Sequence, residues 1–411
     1  MSFSLTGPST ITLTQGQSVS VVFKVTATGK PYRRVTYSVA GLPSGITAVF
    51  NPLSCTPTCQ SILTLTASAF STVGTTTITV TARDSKSSKS MGVIFSNFFA
   101  TPVPPVTIEN ANYYVATAAG GGSDSNPGTI SQPFLTIQKA HDTMSAGQLC
   151  YVRGGTYDLT SQTSLTKNGT SGNYIRLWAY PGETPILDGS SYTPGGQGFA
   201  LIKGDSISWW HFKGLEIAFS PGSGIRFTGS SHDITIEFCN IHHNVRLDGN
   251  GGNIEFDNNQ SNILILNNDL HHASINQTTG TGGDGISFND SQQSGNVIRG
   301  NRIWRNHDDG IDMWNGAHVL LEGNWIWQNG YDDNLVKTSG NGVGVKLGGD
   351  GTGDGSHTVR LNLIWHNGED GINDNNADNP CNVYNNTSWD HGNSGRYNYN
   401  FSHGVAHVLK N

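Results

Sequence analysis

A six-residue motif of the form Asn-x-Ile-x-x-Asn recurs along the C-terminal part of this chain and limits the folds open to it. With some variation it occupies residues 239–244, 268–273, 301–306, 324–329, 362–367 and 386–391. Each copy is followed, directly or after a loop, by a short glycine-containing strand. Repeats at such periods are typical of a solenoid, in which each unit buries its apolar face only by stacking on its neighbours. The residues at the first motif position are then expected to form an asparagine ladder at a bend.

The same alignment stacks a column of aromatic side chains: His242, His271, Trp304, Trp327, Trp365 and Trp389. Such a column could bind the apolar face of a sugar, or its rings could stack on one another and fix the register of the coils, which we favour. Two histidines have histidine neighbours, His243 and His272. Adjacent residues on a strand point to opposite faces, so neither pair is predicted to chelate a metal.

Three strands carry the candidate chemistry. Gly-Asp-Gly-Ile-Ser-Phe (283–288), Asp-Asp-Gly-Ile-Asp-Met-Trp (308–314) and Gly-Val-Gly-Val-Lys-Leu-Gly-Gly (342–349) align on their glycine-aliphatic centres. Their apolar residues form two inward columns, and Ser287, Asp312 and Lys346 form one outward column. Coil stacking at about 4.8 Å would bring Lys346 beside a patch of four carboxylates, namely Asp284, Asp308, Asp309 and Asp312.

This acidic patch predicts a bound cation. Carboxylates a few ångströms apart repel one another unless they are protonated or bind a metal. Ca²⁺ suits an all-oxygen ligand set, whereas zinc or copper would need histidine or cysteine, and His307 is the nearest such residue in sequence. An isolated Asp-Gly pair more often serves a turn. Three aspartates within 308–312, with Asp284 one coil earlier and Lys346 one coil later, favour a functional site.

Composition limits the partners and the compartment. The chain has 411 residues, 52 of them glycine, 13% charged residues and a net charge of −7, which suits short strands and tight turns and disfavours nucleic acid as a partner. No stretch is long and apolar enough to span a membrane, and no signal peptide is visible. Cys55 and Cys59 could close a small loop in an exported protein, whereas Cys150, Cys239 and Cys381 are expected to pack as apolar groups.

The chain divides into segments of different composition. Residues 1–100 show alternating Thr/Val/Ile runs and resemble the immunoglobulin-like β-sandwiches appended to secreted enzymes. Residues 101–110 form a proline-rich linker, and residues 111–411 form the second, larger domain, whose C-terminal coil is expected either to be truncated or to cap itself. The start of that domain resembles the beginning of right-handed parallel β-helix proteins, with an amphipathic helix over 136–144. The predicted fold class is therefore all-β: a right-handed parallel β-helix preceded by a small immunoglobulin-like sandwich.

Asp-Asp-Gly-Ile-Asp-Met-Trp (308–314) followed by Gly-Val-Gly-Val-Lys-Leu-Gly-Gly (342–349) resembles polysaccharide lyase family nine, the pectate lyases on a right-handed β-helix. The resemblance implies a secreted, Ca²⁺-dependent enzyme that cleaves polygalacturonate or pectin by β-elimination, with Lys346 as the Brønsted base. It implies that the metal ligands are the four aspartates at 284, 308, 309 and 312. Val345 departs from the family, which more often has an aromatic residue before the lysine.

Further expectations complete this interpretation. Arg302 and Arg305 are candidates for clamping further uronate carboxylates. The enzyme is expected to be a monomer. Two alternative functions remain open at this point: a polygalacturonase-type glycoside hydrolase that uses Asp308 and Asp309 as acid and base without a metal, and a non-catalytic carbohydrate-binding β-helix.

Overall fold

The computed structural model of the chain describes residues 3–29, 33–68, 71, 74–98, 108–193, 198–246, 252–275, 282–349, 353–392, 396–403 and 405–410. The chain separates into two compact units, Met1–Pro102 and Val103–Asn411. Residues 101–107 of the predicted proline-rich linker lie outside the described residues.

The N-terminal unit is a β-sandwich around one apolar core, as predicted. One sheet runs, in spatial order, through Phe3–Thr6, Ser18–Ala27, Cys59–Ala67 and Ile46–Asn51. The other runs through Thr10–Thr14, Ser88–Phe98, Gly74–Arg83, Val35–Ala40 and Ser54–Cys55. Side chains that alternate along these strands, such as Phe23, Leu63 and Phe95, are fully buried between the sheets.

The cysteines behave as expected. Cys55 and Cys59 form a disulfide that closes a short loop of the sandwich. Cys150, Cys239 and Cys381 are free thiols and are buried. The strand Ile46–Asn51 follows glycine and proline turn residues, and its Ile46 and Phe50 side chains are buried.

The C-terminal unit is a right-handed β-helix built from three long parallel sheets, as predicted. A single turn Ala118–Gly120 and the helix Ile137–Thr143 precede most of the coils. Thr136 caps the helix by accepting a hydrogen bond from the Lys139 N–H, and Ile137, Ala140 and Met144 are buried against the first coil. The predicted amphipathic helix over 136–144 is thus confirmed.

Each coil contributes one strand to each sheet, and neighbouring strands in a sheet come from successive coils. The first sheet contains Tyr113–Val115, Leu149–Val152, Ile175–Ala179, Ser208–Lys213, His232–Glu237, Ser261–Leu266, Val297–Arg299, Leu320–Glu322, Thr358–Arg360, Asn382–Tyr384 and Val408–Lys410. The second sheet contains Gly155–Asp158, Pro185–Asp188, Glu216–Ala218, Asn240–His242, Asp269–His271, Arg302–Trp304, Trp325–Trp327, Leu363–Trp365 and Thr387–Trp389.

The third sheet carries the candidate site. It contains Thr163–Leu165, Ala200–Asp205, Ser223–Thr228, Gly252–Asp257, Asp284–Asn289, Ile311–Asp312, Val345–Lys346, Ile372–Asn373 and Tyr399–Asn400. A small pair, Val245–Arg246 with Ser274–Ile275, lies outside the three sheets. Both predicted apolar columns point inward and are fully buried: Ile286, Ile311 and Val345 in one, and Phe288, Met313 and Leu347 in the other.

The predicted asparagine ladder is present at the bend between the first and second sheets. Asn301 Oδ1 accepts hydrogen bonds from the backbone N–H and the side-chain amide of Asn268, at 2.9 and 3.0 Å. Asn324 and Asn362 repeat the pattern in the next coils. These side chains are buried, so the ladder provides hydrogen-bond partners for backbone N–H groups that water cannot reach.

A second ladder runs through the last position of the same motif, to which the sequence analysis assigned no role. Asn306, Asn329 and Asn367 are buried and linked from coil to coil by amide hydrogen bonds of 2.9 Å.

The predicted aromatic column also forms, with ring centroids 4.1–5.3 Å apart and planes within 19° of parallel. Its rings stack on one another, as we favoured. Within the described residues, no helix is long and apolar enough to cross a membrane.

We expect the substitution Asn324→Ala to lower the free energy of unfolding by at least about 2 kcal/mol, because it leaves the buried N–H groups of Asn301 without their acceptor. Thermal or denaturant unfolding followed by circular dichroism measures this. Asn382→Ala, at an exposed position of a first-sheet strand, is the matched control. Equal stability of the two variants would contradict a structural role for the ladder.

Candidate functional site

The register of the third sheet places three polar residues side by side. Asp312 lies opposite Ser287 in the preceding strand and opposite Lys346 in the following one. Because the flanking apolar residues point into the core, the three side chains lie on the outer face of the sheet. The structure thus has the outward column predicted from the sequence.

Lys346 lies against two of the four aspartates. Its Nζ is 2.5 Å from Asp309 Oδ2 and 3.7 Å from Asp312 Oδ2. The lysine side chain is only 7% exposed and Asp309 is fully buried, whereas Asp312 is 14% exposed. Asp312 is therefore the most open of the three groups to a molecule on the outer face of the sheet.

Backbone and hydroxyl donors hold the two inner carboxylates. Asp284 Oδ1 accepts a hydrogen bond from the Asp309 N–H at 3.0 Å, and its Oδ2 accepts one from the Ser287 hydroxyl at 2.8 Å. Asp309 Oδ1 accepts a hydrogen bond from the Val343 N–H at 2.7 Å. One aspartate therefore positions the next along the stack, and the site is held rigidly from coil to coil.

Asp308 is arranged differently from its three neighbours. Its Oδ2 accepts a hydrogen bond from the Gly282 N–H at 2.7 Å, and its Oδ1 accepts one from the Asn341 N–H at 2.5 Å. It anchors the two chain segments that flank the site. Its charge still acts on the cluster, since it helps to raise the pKa values of Asp284 and Asp309.

The electrostatics of the metal-free cluster are unfavourable. Burial and the neighbouring carboxylates raise the pKa values of Asp284 and Asp309 well above the ordinary aspartate value. Burial also raises the pKa of Asp312, although Lys346 opposes this. For Lys346, burial alone would lower the pKa, but Asp309, Asp312 and Asp308 outweigh it and raise the pKa well above that of free lysine. One ammonium group therefore faces several mutually repelling acids.

The cluster has the donor set of a hard-cation site. One oxygen each from Asp284, Asp309 and Asp312 lies within 4.8 Å of the others. Asp312 Oδ1 is buried and has no hydrogen-bond partner among the described residues. This converging group is made of carboxylate oxygens alone, and the Nε2 of the nearby His307 lies 3.2 Å from the Ser339 hydroxyl. Oxygen ligands with one unsatisfied acceptor suit Ca²⁺ better than zinc or copper.

The two candidate substrate-binding arginines are not brought to this cluster. Arg302 begins a strand of the second sheet, and its guanidinium is held by both carboxylate oxygens of Asp269. Arg305 follows that strand and contacts Gln328 and Asp333. A role for either arginine in binding uronates stays a prediction.

The outward column continues beyond the three residues found from the sequence. Glu255 precedes Ser287 in the register, and Asn373 follows Lys346. Both positions follow from extending the alignment of glycine-aliphatic strands by one coil in each direction. The polar column therefore continues on both sides of the site, although Glu255 is buried and accepts a hydrogen bond from the Ser223 hydroxyl.

The prediction that adjacent histidines point to opposite faces is wrong for both histidine pairs. His243 and His272 have φ values of +52° and +53°, so the chain turns in the left-handed region after His242 and His271. The adjacent rings then meet, with Nδ1–Nδ1 distances of 2.8 Å for His242–His243 and 2.6 Å for His271–His272. Alternation of side chains holds along a strand but fails at the residue where the strand ends.

The C-terminal unit of the chain is similar to several known proteins. The sequence model of the family described as "Pel9A-like, right handed beta helix region" matches residues 113–409. Pectate lyase PEL9 of Emericella nidulans is 31% identical over 323 residues, covering 71% of this chain and 76% of that protein. Pectate lyase L of Dickeya chrysanthemi is 29% identical and covers 73% of this chain and 70% of that protein.

Solved structures agree with these relatives. The crystal structure of pectate lyase Pel9A superposes with a TM-score of 0.62 at 27% identity, covering 72% of this chain and 74% of that one. A rhamnogalacturonan lyase, at 24% identity and a TM-score of 0.58 over 67% of this chain and 73% of that one, shares the fold.

The charge balance of the cluster predicts a gain of stability when one carboxylate is neutralised. In chelator at pH 8, Asp284→Asn should melt about 2 °C or more above the wild type, because an amide keeps the shape and removes repulsion. A raised pKa in the folded state means that wild-type stability falls as pH rises from about 4 through that pKa. The advantage of the variant should therefore shrink towards pH 4.

Melting curves across this pH range provide the measurement, with Asp158→Asn as the control at an exposed aspartate. A variant that melts at or below the wild-type temperature at pH 8 would show that the cluster is not destabilised by its own charge.

Proposed function

This chain belongs to the family of Pel9A-like right-handed β-helix proteins and is a polysaccharide lyase, and we propose that it is a calcium-dependent pectate lyase that cleaves polygalacturonate by β-elimination. The observation that supports this most is the position of Lys346, whose Nζ lies beside Asp309 and Asp312 on the outer face of the third sheet. Relatives named pectate lyases agree with this substrate.

We assign Lys346 as the Brønsted base. In β-elimination the base removes the proton on C5, which is α to the uronate carboxylate, and the bond from C4 to the linking oxygen breaks. The base must be a neutral amine when it accepts this proton. Among the outward residues of the central strands, Lys346 carries the amine, and the fixed coil register holds it in place.

The metal ligands in this proposal are the aspartates at 284, 308, 309 and 312. The oxygens of Asp284, Asp309 and Asp312 converge, and Asp308 adds charge beside them. When bound, Ca²⁺ would stabilise negative charge on the substrate carboxylate as a Lewis acid and offset the acids that hold the Lys346 ammonium charged. The partly exposed Asp312 is the ligand nearest to the outer face.

The hydrolase alternative does not suit this geometry. A glycoside hydrolase acid must reach the linking oxygen of the sugar. Asp309 is fully buried against Lys346, and both oxygens of Asp308 accept backbone hydrogen bonds. Neither carboxyl group is free to act as that acid. A non-catalytic role is likewise set aside, because the relatives with which the chain was compared above are named as pectate lyases.

We also propose that the protein acts outside the cell as a monomer. Its substrate would be an acidic plant cell-wall polysaccharide, which is too large to enter a cell. The Cys55–Cys59 disulfide agrees with export, since disulfides persist in oxidising compartments.

We expect Lys346→Ala to lower kcat on polygalacturonate by at least about 100-fold, because general-base catalysis typically contributes that much or more. The ultraviolet absorbance of the unsaturated product measures the rate, and calorimetry should show that Ca²⁺ still binds. The control is Lys213→Ala, which removes another ion-paired lysine, 3.2 Å from Glu237 on the first sheet. Undiminished turnover by Lys346→Ala would refute the base assignment.

Removal of calcium should abolish product formation, and added Ca²⁺ should restore it. Asp309→Asn is expected to lose calcium binding and activity together, because it removes a converging ligand. Isothermal titration with Ca²⁺, paired with the absorbance assay, provides the measurement, and Asp158→Asn is again the control. An active enzyme after exhaustive chelation would contradict the metal assignment while leaving Lys346 as a possible base.

A further inference from the structure

Four histidines form a compact group at the end of two neighbouring strands of the second sheet. His242 and His271 end strands in successive coils, and their rings stack at 4.8 Å. His243 and His272 follow them, and their rings stack at 4.7 Å. The left-handed turn after each strand brings the two stacks together, so that two pairs of Nδ1 atoms face each other. This group is distinct from the aspartate cluster on the third sheet.

The outer nitrogens of three of these rings are already engaged by oxygen atoms. His242 Nε2 lies 3.2 Å from Glu216 Oε1, His271 Nε2 lies 3.1 Å from Asn240 Oδ1, and His272 Nε2 lies 2.7 Å from Asp333 Oδ1. Carboxylate and amide oxygens only accept hydrogen bonds, so each Nε2 must be the donor. A neutral imidazole with its proton on Nε2 has a bare lone pair on Nδ1.

This arrangement has a consequence for the pair His271 and His272. Both rings carry their proton on Nε2, and their two Nδ1 atoms are 2.6 Å apart. Two lone pairs at this distance repel unless a metal ion or an additional proton lies between them. For His242 and His243, by contrast, one N–H can donate to the other nitrogen at 2.8 Å. The pair His271 and His272 therefore points to a bound cation, whereas the pair His242 and His243 alone would not.

We propose that His242, His243, His271 and His272 form a binding site for one divalent transition-metal ion of the zinc, copper and nickel class. Imidazole nitrogen is the preferred protein ligand for these metals. With metal–nitrogen bonds of about 2.0–2.1 Å, neighbouring nitrogens of one coordination shell lie about 2.8–3.4 Å apart. The separations within the two pairs, 2.8 and 2.6 Å, are close to the lower end of that range.

The nitrogens of the two coils are also near enough to share one ion. One nitrogen each from His242, His243 and His271 lies within 4.8 Å of the others. His272 lies next to this group, with its Nδ1 2.6 Å from that of His271. Because the two pairs come from successive coils, the bound ion would tie these coils together, and the second coil continues to Asp284.

The surrounding acceptors match those of known metal–histidine sites. A ligating histidine usually donates its other N–H to a carboxylate or carbonyl oxygen, which fixes the ring and raises its basicity. Glu216 and Asp333 hold His242 and His272 in this way. Their negative charge would also offset that of the ion, although Arg305 shares Asp333 at 3.3 Å.

The test uses the untagged full-length protein, freed of metal and then supplied with excess Ca²⁺ so that the aspartate cluster is occupied. Titration with Zn²⁺ alone should show one site per chain and a rise in melting temperature. Cu²⁺ should give an electron paramagnetic resonance spectrum with splitting from several nitrogens. Absence of Zn²⁺ binding, or a Cu²⁺ spectrum without nitrogen splitting, would overturn the proposal. The short distance between His271 Nδ1 and His272 Nδ1 would then be explained by a shared proton.

Variants separate this site from adventitious binding. His271→Gln combined with His272→Gln should weaken Zn²⁺ binding at least tenfold, and Asp333→Asn by about 10–100-fold. The matched control is His366→Gln, at the same turn position of a later coil, with a φ of +53° and with Gln328 and Asp390 at the equivalent positions of the adjacent coils. If the double variant fails to fold, His243→Gln at the partly exposed ring replaces it. Unchanged Zn²⁺ binding in the folded variants would contradict the assignment.

Discussion

Hydrogen bonding between successive coils is the interaction on which every other feature of this β-helix depends. The buried amides of Asn301 and Asn324 each satisfy backbone and side-chain groups of the coil before. A shift of one residue would turn every inward side chain outward and break these bonds at the same time. The ladder therefore fixes which residues of adjacent coils lie side by side, and so determines that Asp312 and Lys346 are neighbours.

In the aspartate cluster around Lys346, by contrast, the neighbouring groups repel one another. Several buried acids surround one lysine, and their repulsion raises their own pKa values. Ionisation of the Asp284 and Asp309 carboxyl groups is therefore disfavoured in the folded protein. The cluster persists because the inter-coil hydrogen bonds hold each carboxylate in position, as the Asp309 N–H does for Asp284. The hydrogen bonds between coils thus hold together a group of carboxylates that repel one another and are suited to binding a cation.

Much of this could be predicted from the sequence, because strand alternation and coil repeats are regular. The apolar columns, the outward triad with Lys346 and the asparagine ladder follow from a period of two within strands and one strand per coil. What could not be predicted lies where the chain leaves a strand. The left-handed residues His243 and His272 reverse the expected side-chain directions. The pairing of Arg302 with Asp269, by contrast, follows from the coil register, because the two residues occupy the second motif position in successive coils.

The two asparagine ladders also affect how a β-helix can change its length during evolution. Each interior coil presents the same amide donors and acceptors above and below, as Asn306, Asn329 and Asn367 illustrate. Duplication of a complete coil away from residues 284–346 would leave these amides paired and would keep together the three coils that carry the aspartate cluster and Lys346. Evolution can thus lengthen the outer face of the third sheet in whole coils, whereas the loss or gain of a few residues within one coil disturbs the pairing of the coils beyond it.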